Sequence, residues 1–490
     1  MKRSTLIVGG GLAGLTAGIY ALKYGFDVTI IEKNAKPGGL CTGWKRQGYT
    51  IDNCLHWMTG TSPRNPLNEI HREIRTITDS VPMLQREIMH RHDYKDGSLY
   101  FYKDPEKLEN ELLRVASEDA REIHRFVRLV CDYRDGEMVP IKPFEQMGII
   151  DYCHLLIRMW PVIKHHLRYS HTSLQKYSER FKSPVIRHFL TSYLPKEYFA
   201  EAIFYTYGTF ACGDGDIPMG GSEAAAQRIL DRFKELGGVF KPSHAASRFI
   251  IDKSSRKVTG VELTDGKIMS ADYYIAACDT SVTFNTLLPS DYKDKFFTKR
   301  YNDPEKYPVF SNFITYLSIP ARIVQGEPDI ITIDSGVFTS LLLKHYAYEP
   351  GFAPEGRTVL QVLLISKDEE YDYWERLYKK DKNTYDKCKN ALARKIQESI
   401  DRHFKLQEGE SEIIEVLTPY SMNRWCGSYK GSYMSFVPTS KAPIGNHLGR
   451  IKGLGNFLLA SQWQTSPGGT PNAIQSGKYA ADRLRKMAGK

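Results

Sequence analysis

The stretch TLIVGGGLAG, residues 5–14, decides the fold of this chain. Residues 5–8 form a short apolar run, rich enough in β-branched side chains to predict a buried parallel strand. A glycine run with the spacing G-x-G-x-x-G follows at once, and residues 15–24 predict a helix. A turn then leads to a second predicted strand at residues 28–31, which ends at Glu32. A strand, a helix and a second strand within about 30 residues predict a β-α-β unit.

The three glycines of this run have separate roles in dinucleotide binding. Gly9 permits the tight turn, Gly11 lets the backbone approach a pyrophosphate, and Gly14 lets the helix lie close to the strand. The free N–H groups and the dipole of the helix N-terminus then stabilise the phosphate charge. Glu32 stands 18 positions after Gly14, where an acidic residue accepts hydrogen bonds from the adenosine ribose. A strand–helix turn without a ligand is the alternative, and the complete β-α-β unit favours the dinucleotide over it.

Three further segments indicate which dinucleotide is bound. KPGGL at residues 36–40 places a second glycine turn just after the ribose-binding acid, although an ordinary Pro-Gly turn has the same pattern. IPMGGS at residues 217–222 precedes a predicted helix, and PGGTP at residues 467–471 lies between a predicted strand at residues 456–462 and a further predicted helix. In sequence and order these motifs resemble the FAD-dependent family of phytoene desaturases, carotenoid isomerases and retinol saturases, which is related to the flavin amine oxidases.

The resemblance implies FAD as the cofactor and an α/β architecture. A Rossmann-like FAD-binding domain of the glutathione reductase-like type would carry an inserted α+β substrate domain. Residues 1–62, 218–300 and 440–490 would form the FAD-binding domain, and residues 63–217 and 301–439 would form the substrate or cap domain. We expect the two inserted stretches to cover the flavin face around a long apolar tunnel.

The resemblance also implies individual cofactor contacts. The second glycine turn would run beside the FAD phosphates and ribityl chain, and the chain near Ala246 would face the adenine. The helix N-terminus that follows residue 467 would lie under the flavin ring. Ser461 stands where the family has glycine, and the family's acidic ribityl contact is not evident. The predicted FAD-binding residues are Gly9, Gly11, Leu12, Ala13, Gly14, Glu32, Lys33, Gly39, Leu40, Ala246, Ser461, Gly469, Thr470 and Ile474.

Three residues are candidates for catalysis. His56, beside Trp57, is expected near the flavin, where it would supply or accept a proton; a hydrogen-bonded structural histidine is the alternative. Arg424 and Tyr429 lie in a segment that resembles the substrate-facing loop of the desaturases and saturases. Arg424 would bind an anionic headgroup there, or form a surface ion pair. No metal site is predicted, because the eight cysteines are scattered without metal-ligand spacing.

The resemblance implies hydride transfer between flavin N5 and a carbon of an extended apolar, polyunsaturated substrate, in desaturation, saturation or double-bond isomerisation. A flavin amine oxidase is the first alternative, and an aromatic cage of Trp463 with Tyr429 or Trp425 would favour it. A flavin-binding protein without turnover is the second alternative. No second G-x-G-x-x-G stands between a predicted strand and helix, so we expect a diffusing electron donor or acceptor.

Composition indicates the class of protein and its surroundings. A chain of 490 residues with 41% hydrophobic and 25% charged residues is typical of a globular protein with two domains. The net charge of +10 is not gathered into a tract typical of nucleic-acid binding. The scattered cysteines predict a cytoplasmic protein, and no apolar stretch is long enough to span a membrane. Residues 148–169 predict a basic amphipathic helix that lies in a membrane interface or packs on its own domain, the more common arrangement.

Overall fold

The computed structural model describes residues 2–136, 140, 142–442 and 444–489. The strands in these ranges are β1 (Ser4–Val8), β2 (Asp27–Ile31), β3 (Gly43–Arg46), β4 (Tyr49–Asp52), β5 (Met83–Leu84), β6 (Ile88–Tyr94), β7 (Gly97–Tyr102), β8 (Ile217–Pro218), β9 (Val239–Lys241), β10 (Ala246–Asp252), β11 (Lys257–Leu263), β12 (Ile268–Met269), β13 (Tyr273–Ala276), β14 (Ser311–Pro320), β15 (Ile330–Ile333), β16 (Leu341–His345), β17 (Arg357–Ser366), β18 (Glu412–Leu417) and β19 (Phe457–Leu459). The α-helices are α1 (Leu12–Lys23), α2 (Leu67–Glu73), α3 (Pro105–Val115), α4 (Ala120–Asp135), α5 (Ile149–Tyr169), α6 (Leu174–Ser178), α7 (Pro184–Ser192), α8 (Glu201–Ala211), α9 (Gly221–Glu235), α10 (Thr280–Val282), α11 (Lys295–Tyr301), α12 (Asp368–Lys380), α13 (Lys382–Phe404), α14 (Pro419–Cys426) and α15 (Gly469–Met487).

A parallel sheet of five strands, in the order β19-β13-β1-β2-β9, carries the glycine turn. Its side chains alternate between two faces, as strand geometry requires. Ile7 of β1 packs on the face covered by α1, α9 and α15. Leu6 and Val8 pack on the other face, which the antiparallel sheet β10-β11-β12 covers. Coverage of a parallel sheet on both faces confirms the predicted Rossmann-like α/β fold.

Two helix N-termini meet at one edge of this sheet. Helix α1 follows β1, and α15 follows β19 after a short turn, so both helices begin beside the carboxyl ends of parallel strands. Gly477 allows α15 to lie directly against α1, because a Cβ at this position would stand 2.4 Å from the carbonyl oxygen of Ala13. This edge is where open α/β sheets bind their ligands.

A mixed sheet of seven strands, in the order β18-β14-β17-β16-β15-β6-β7, forms the second large layer. On β16, Leu341 and Leu343 pack under α12 and α13, whereas Leu342 points to the opposite face. Ile314 of β14 and Leu363 of β17 share that opposite face with Leu342. Because successive side chains of a strand point to opposite faces of the sheet, the same strands present one apolar face to α12 and α13 and another on the opposite side.

Helices α3, α4, α6, α7 and α8 surround a separate apolar core, and α5 runs along its edge. Helix α5 continues through Pro161, and only Val162 and Tyr169 among its residues are buried. The helix packs on its own domain through Val162 and Tyr169, whereas many of its other apolar side chains are exposed. Across the described ranges, each helix is too short or too polar to cross a membrane.

Two predicted boundaries shift in the structure. The first helix begins at Leu12 rather than at residue 15, because its first turn extends into the glycine run. The strand predicted at residues 456–462 ends at Leu459, because Ser461 caps a short 3₁₀ turn at Gln462–Gln464. In both places a helical turn begins close to the carboxyl end of its strand, so its first backbone N–H groups lie near that edge of the parallel sheet.

Candidate active site

A cavity of about 960 Å³ begins at the N-termini of α1 and α15 and extends between the seven-stranded sheet and the helical layer as far as α5. The glycine turns, Glu32 and His56 line one part of it. Leu342, Ile314 and Leu363 line another part. The cavity thus joins the carboxyl edge of the parallel sheet to the apolar face of the second sheet.

In the glycine turn after β1, backbone neighbours exclude a side chain at Gly9 and Gly14 but leave space for one at Gly11. Gly9 has a φ of +113°, and a Cβ there would stand 2.8 Å from the carbonyl oxygen of Ala277. A Cβ at Gly14 would stand 2.0 Å from the carbonyl oxygen of Gly9. At Gly11 the nearest such neighbour is 3.8 Å away, and Gly11 lines the cavity. Helix α1 has no side-chain cap, so its first N–H groups are available to an anion.

Glu32 stands at the end of β2, buried and on the cavity wall. One carboxylate oxygen accepts the N–H of Gly10 at 2.7 Å, and the other accepts the N–H of Asn34 at 2.9 Å. These two bonds fix the orientation of the carboxylate. Because each oxygen can accept a second hydrogen bond, the group remains suited to a pair of ribose hydroxyls.

The second glycine turn lies against the first. The N–H of Gly38 donates to the carbonyl oxygen of Gly10 at 2.9 Å, and a Cβ on Gly39 would stand 3.5 Å from the Cα of Gly11. Lys33 and Leu40 lie on the cavity wall beside this turn. The two turns therefore form one cradle made largely of backbone.

The turn before α15 completes the cradle. Ser461, Gly469 and Thr470 line the cavity, and the N–H of Gly469 donates to the side-chain oxygen of Gln462 at 2.7 Å. Ile474 is fully buried in the core behind the turn. Of the predicted FAD contacts, Gly14 and Ile474 are the two that the structure places behind the cavity wall, and the other twelve lie on it.

His56 lies on the cavity wall in a defined protonation state. Its Nε2 is 2.7 Å from the side-chain oxygen of Gln361. The Gln361 amide nitrogen donates to the hydroxyl of Tyr316 at 2.9 Å, and that hydroxyl donates to the backbone oxygen of Asp52 at 3.0 Å. Since Gln361 must accept on its oxygen, His56 carries its proton on Nε2 and leaves Nδ1 as the acceptor. Burial, helped by the charge of Lys344, lowers the pKa of His56 to about 4.

A buried ionic cluster supports this network. Asp329 accepts hydrogen bonds from the Lys344 ammonium at 2.8 Å and from the Arg86 guanidinium, and all three side chains are buried. Burial alone would raise the pKa of Asp329, but the two cations outweigh it and hold that pKa well below its usual range. Lys344 and Arg86 both lower the pKa of His56, and Asp329 opposes them.

Comparison with known proteins agrees with this geometry. The family of flavin-containing amine oxidoreductases matches residues 12–485. The chain belongs to this family. A 4,4'-diaponeurosporene oxygenase from Staphylococcus haemolyticus is 22% identical over 99% of this chain and 98% of its own length. A zeta-carotene-forming phytoene desaturase from Myxococcus xanthus is 24% identical over 99% of this chain and 94% of its own. A crystal structure of an oxidoreductase from Methanosarcina mazei aligns with a TM-score of 0.61 at 13% identity, over 99% of this chain and 100% of that one.

This flavoenzyme is an FAD-dependent oxidoreductase, as predicted. The cradle fits FAD on the chemistry of its groups. Free N–H groups at α1 suit the pyrophosphate, the fixed Glu32 carboxylate suits the ribose, and the bare face of Gly11 gives the phosphates room. The N-terminus of α15 suits the flavin, whose reduced form carries negative charge.

Other predicted site residues of the flavoenzyme lie away from the cavity wall. The Arg424 guanidinium stands 4.4 Å from the ring centre of Tyr378, so a cation–π contact replaces the predicted headgroup role. The Tyr429 ring packs on Tyr301 at 4.6 Å and meets Trp463 almost at right angles, 6.0 Å away. Trp425 packs on Trp44 at 4.8 Å. These packing contacts hold Tyr429 and Trp425 off the cavity wall, and Trp463 alone of the predicted aromatic cage lines the cavity.

Two polar residues of the site were not anticipated. Gln361 interrupts the apolar strand β17, and a polar residue in such a strand was the available signal, since buried amides require partners. Asp279 lies on the cavity wall just beyond β13, where it accepts the backbone N–H groups of Tyr429 at 2.8 Å and Ser281 at 2.7 Å. Burial raises the pKa of Asp279 to about 6, which makes it a titrating group near the cradle.

Proposed function

We propose that this flavoenzyme transfers electrons to or from carbon atoms of an extended apolar, polyunsaturated substrate of carotenoid, retinoid or fatty-acyl type. The observation that carries the proposal is the apolar wall beside the flavin cradle, to which β14, β16 and β17 contribute Ile314, Leu342 and Leu363. Two relatives of similar length are named for diaponeurosporene and for phytoene, which supports the same substrate class.

A long polyene suits this wall for two physical reasons. Each CH₂ group that leaves water contributes about 0.8 kcal/mol, so a long chain gains enough to leave a membrane or a carrier. A narrow apolar channel also aligns the chain along one axis, so that one carbon stands at a reactive distance from the flavin. A small cationic amine gains neither advantage.

In the proposed reaction FAD would transfer electrons, and residues of the chain would handle the proton. When bound, FAD supplies two-electron transfer to or from a substrate carbon. Oxidation of a C–C single bond to a double bond also releases a proton, and His56 offers Nδ1 as the acceptor. Its pKa of about 4 makes the imidazole a weak base at neutral pH, so it would hold this proton only transiently before returning it to water in the cavity. Gln361 fixes the ring that does so.

The proposal retains the predicted division of the chain. Residues 1–62, 218–300 and 440–490 would hold FAD, and residues 63–217 and 301–439 would hold the substrate. A diffusing donor or acceptor would exchange electrons with the flavin. All eight cysteines are free, which supports a reducing, cytoplasmic location.

Anaerobic reduction of the bound flavin tests the proposal. Phytoene, retinol and linoleic acid in detergent micelles, and putrescine and benzylamine in buffer, are each mixed with the holoenzyme while the flavin absorbance is followed. We expect at least one of the unsaturated compounds either to bleach the oxidised flavin or, added to dithionite-reduced holoenzyme, to reoxidise it, and both amines to do neither. Bleaching by amines alone would establish an amine oxidase. Neither bleaching nor reoxidation by any compound would indicate a protein without turnover.

A pair of variants localises the substrate. Leu342→Trp narrows the apolar wall and should slow bleaching by the long substrate at least tenfold while the FAD content stays unchanged. Val337→Trp adds the same side chain at a position that is 57% exposed and does not line the cavity, and should have no effect. Equal rates of flavin bleaching in both variants would show that the apolar wall does not contact the substrate.

A further inference from the structure

Helix α5 exposes an unusual amount of apolar surface. Among the described residues, seven of the fourteen large apolar side chains that are exposed belong to this one helix. Ile149 is 84% exposed, Ile157 72%, Trp160 68% and Leu167 82%. Single exposed apolar side chains are common on protein surfaces, but a concentration of this kind marks an interaction surface.

The exposed side chains form one stripe. An α-helix turns by about 100° per residue, so Leu156, Trp160 and Leu167 project within about 20° of Ile149. Ile150 and Ile157 lie beside them on one flank. We call these six residues the apolar stripe of α5. The stripe is one continuous face that runs the whole length of the helix.

The next face of the same helix lines the cavity. Met159, Ile163 and His166 point into the cavity, and Leu167 belongs both to its wall and to the apolar stripe. Phe144, at 38% exposed, and Ile444, at 42%, also combine exposure with a place on the wall. The cavity therefore reaches the protein surface next to the stripe.

Positive charge lies on and beyond the flank of the stripe that carries Ile150 and Ile157, opposite the cavity. Arg158, Lys164 and Arg168 are exposed there, and Asp151 is the only acidic residue of α5. Lys164 pairs with Asp132 at 3.1 Å, and the Arg168 guanidinium stands 5.5 Å from the ring centre of Tyr169. An apolar stripe with Trp and a basic flank is the pattern of a helix that lies in the interface of an anionic bilayer.

We propose that α5 docks the protein on an anionic lipid bilayer, with the apolar stripe at the boundary between headgroups and acyl chains and the cavity mouth immediately beside it. The helix would lie on the membrane, since it is too polar to cross one. A second copy of this chain fits the surface less well, because a two-fold contact through the stripe would bring the basic residues of one copy, Arg158, Lys164 and Arg168, near those of the other. Entry of substrate from the bilayer rests on the proposed function, whereas docking does not.

Vesicle sedimentation with the full-length holoenzyme tests the docking. We expect the protein to sediment with vesicles of phosphatidylcholine and phosphatidylglycerol, and much less with phosphatidylcholine alone. The double variant Ile157→Asp/Trp160→Asp should lose at least tenfold in vesicle affinity. Ile268→Asp/Val337→Asp is the matched control, because it adds the same charge at positions that are 60% and 57% exposed, and it should bind like the parent.

The outcomes separate the possible occupants of the stripe. Equal binding by both double variants, or no binding of the parent to any vesicle, would overturn the proposal. Self-association that Ile157→Asp/Trp160→Asp abolishes, without vesicle binding, would overturn it in favour of a second copy. Both double variants should retain FAD and be reduced equally by dithionite. If no unsaturated compound bleaches the oxidised flavin or reoxidises the reduced flavin while vesicle binding follows the stripe, the proposed function fails and the docking stands.

Discussion

Substitution of Gly11 distinguishes a glycine needed by the cofactor from one needed by the fold. Gly11 has φ of −74° and ψ of 179°, which any L-residue adopts, and an added Cβ would meet no described atom closer than 3.8 Å. Gly11→Ala should therefore change the stability of the FAD-free protein by less than about 1 kcal/mol. At Gly14 the Cβ would stand 2.0 Å from a carbonyl oxygen, so Gly14→Ala should not yield stable protein.

The cost to FAD binding follows from the same geometry. A methyl group on the cavity side of Gly11 holds the pyrophosphate away from the first N–H groups of α1. Loss of two charge-assisted hydrogen bonds, about 1.5–3 kcal/mol each, corresponds to a Kd raised by about two to four orders of magnitude. Occupied sites also stabilise a protein, by about 2.7 kcal/mol when ligand is present at 100 times Kd. Added FAD should therefore raise the Tm of the parent and leave that of Gly11→Ala almost unchanged.

Flavin fluorescence titration and thermal unfolding with and without FAD measure both quantities. Gly351→Ala is the control, because a Cβ at Gly351 would meet nothing within 4 Å and the residue is absent from the cavity wall. A folded Gly11→Ala protein that binds FAD with the parental Kd would refute the placement of the pyrophosphate at this turn. Failure of Gly11→Ala to fold would refute the separation of the two glycines.

Glu32→Ala should raise the Kd for FAD by about two to four orders of magnitude through the loss of two ribose hydrogen bonds, whereas Glu355→Ala on the surface should not; equal Kd values in a titration would contradict the ribose role. Asp329→Ala should cost about 3–5 kcal/mol of unfolding free energy in urea, because Arg86 and Lys344 lose their shared partner in the interior. Asp265→Ala, at an exposed ion pair, should cost less than about 1 kcal/mol, and a loss that small at Asp329 would be evidence against the cluster. His90 lies between the rings of Phe189 and Tyr193, each 5.0 Å away, and burial lowers its pKa to about 3. Below pH ~6.5 the unfolded chain therefore binds the proton and the folded protein does not, which removes up to about 1.4 kcal/mol of stability per pH unit. His90→Phe should raise Tm more at pH 5 than at pH 7.5, and a larger gain at pH 7.5 would count against this reasoning.

Local sequence predicted the elements whose structure is local. The glycine run, the helix after it and Glu32 lie within one β-α-β unit, so their spacing determines their geometry. The hydrogen bonds of Glu32 to Gly10 and Asn34 connect neighbours of the same unit. The turn and helix at residues 467–487 were predictable for the same reason.

Contacts between segments that are distant along the chain could not be predicted from the sequence. The partner of His56 is Gln361, about 300 positions away, and neither residue indicates the other. The sequence shows the charge of Arg424, which suggests a substrate contact, but not the ring of Tyr378 that the guanidinium contacts. The helical period correctly predicts an apolar stripe on α5, but it does not reveal whether the stripe is covered. In each case the partner or the exposure of the residue depends on tertiary packing, which local sequence does not specify.

The order of the parallel sheet has a consequence for biosynthesis. β13 lies between β1 and β19, so the sheet joins residues near the start of the chain to residues after position 456. A ribosome delivers these segments far apart in time, and domains of a growing chain fold as units once their parts have emerged. The half of the flavin cradle that follows β1 must wait for the turn before α15. Cofactor loading should therefore be a late event, and a nascent chain halted before residue 456 should remain colourless however much FAD surrounds it.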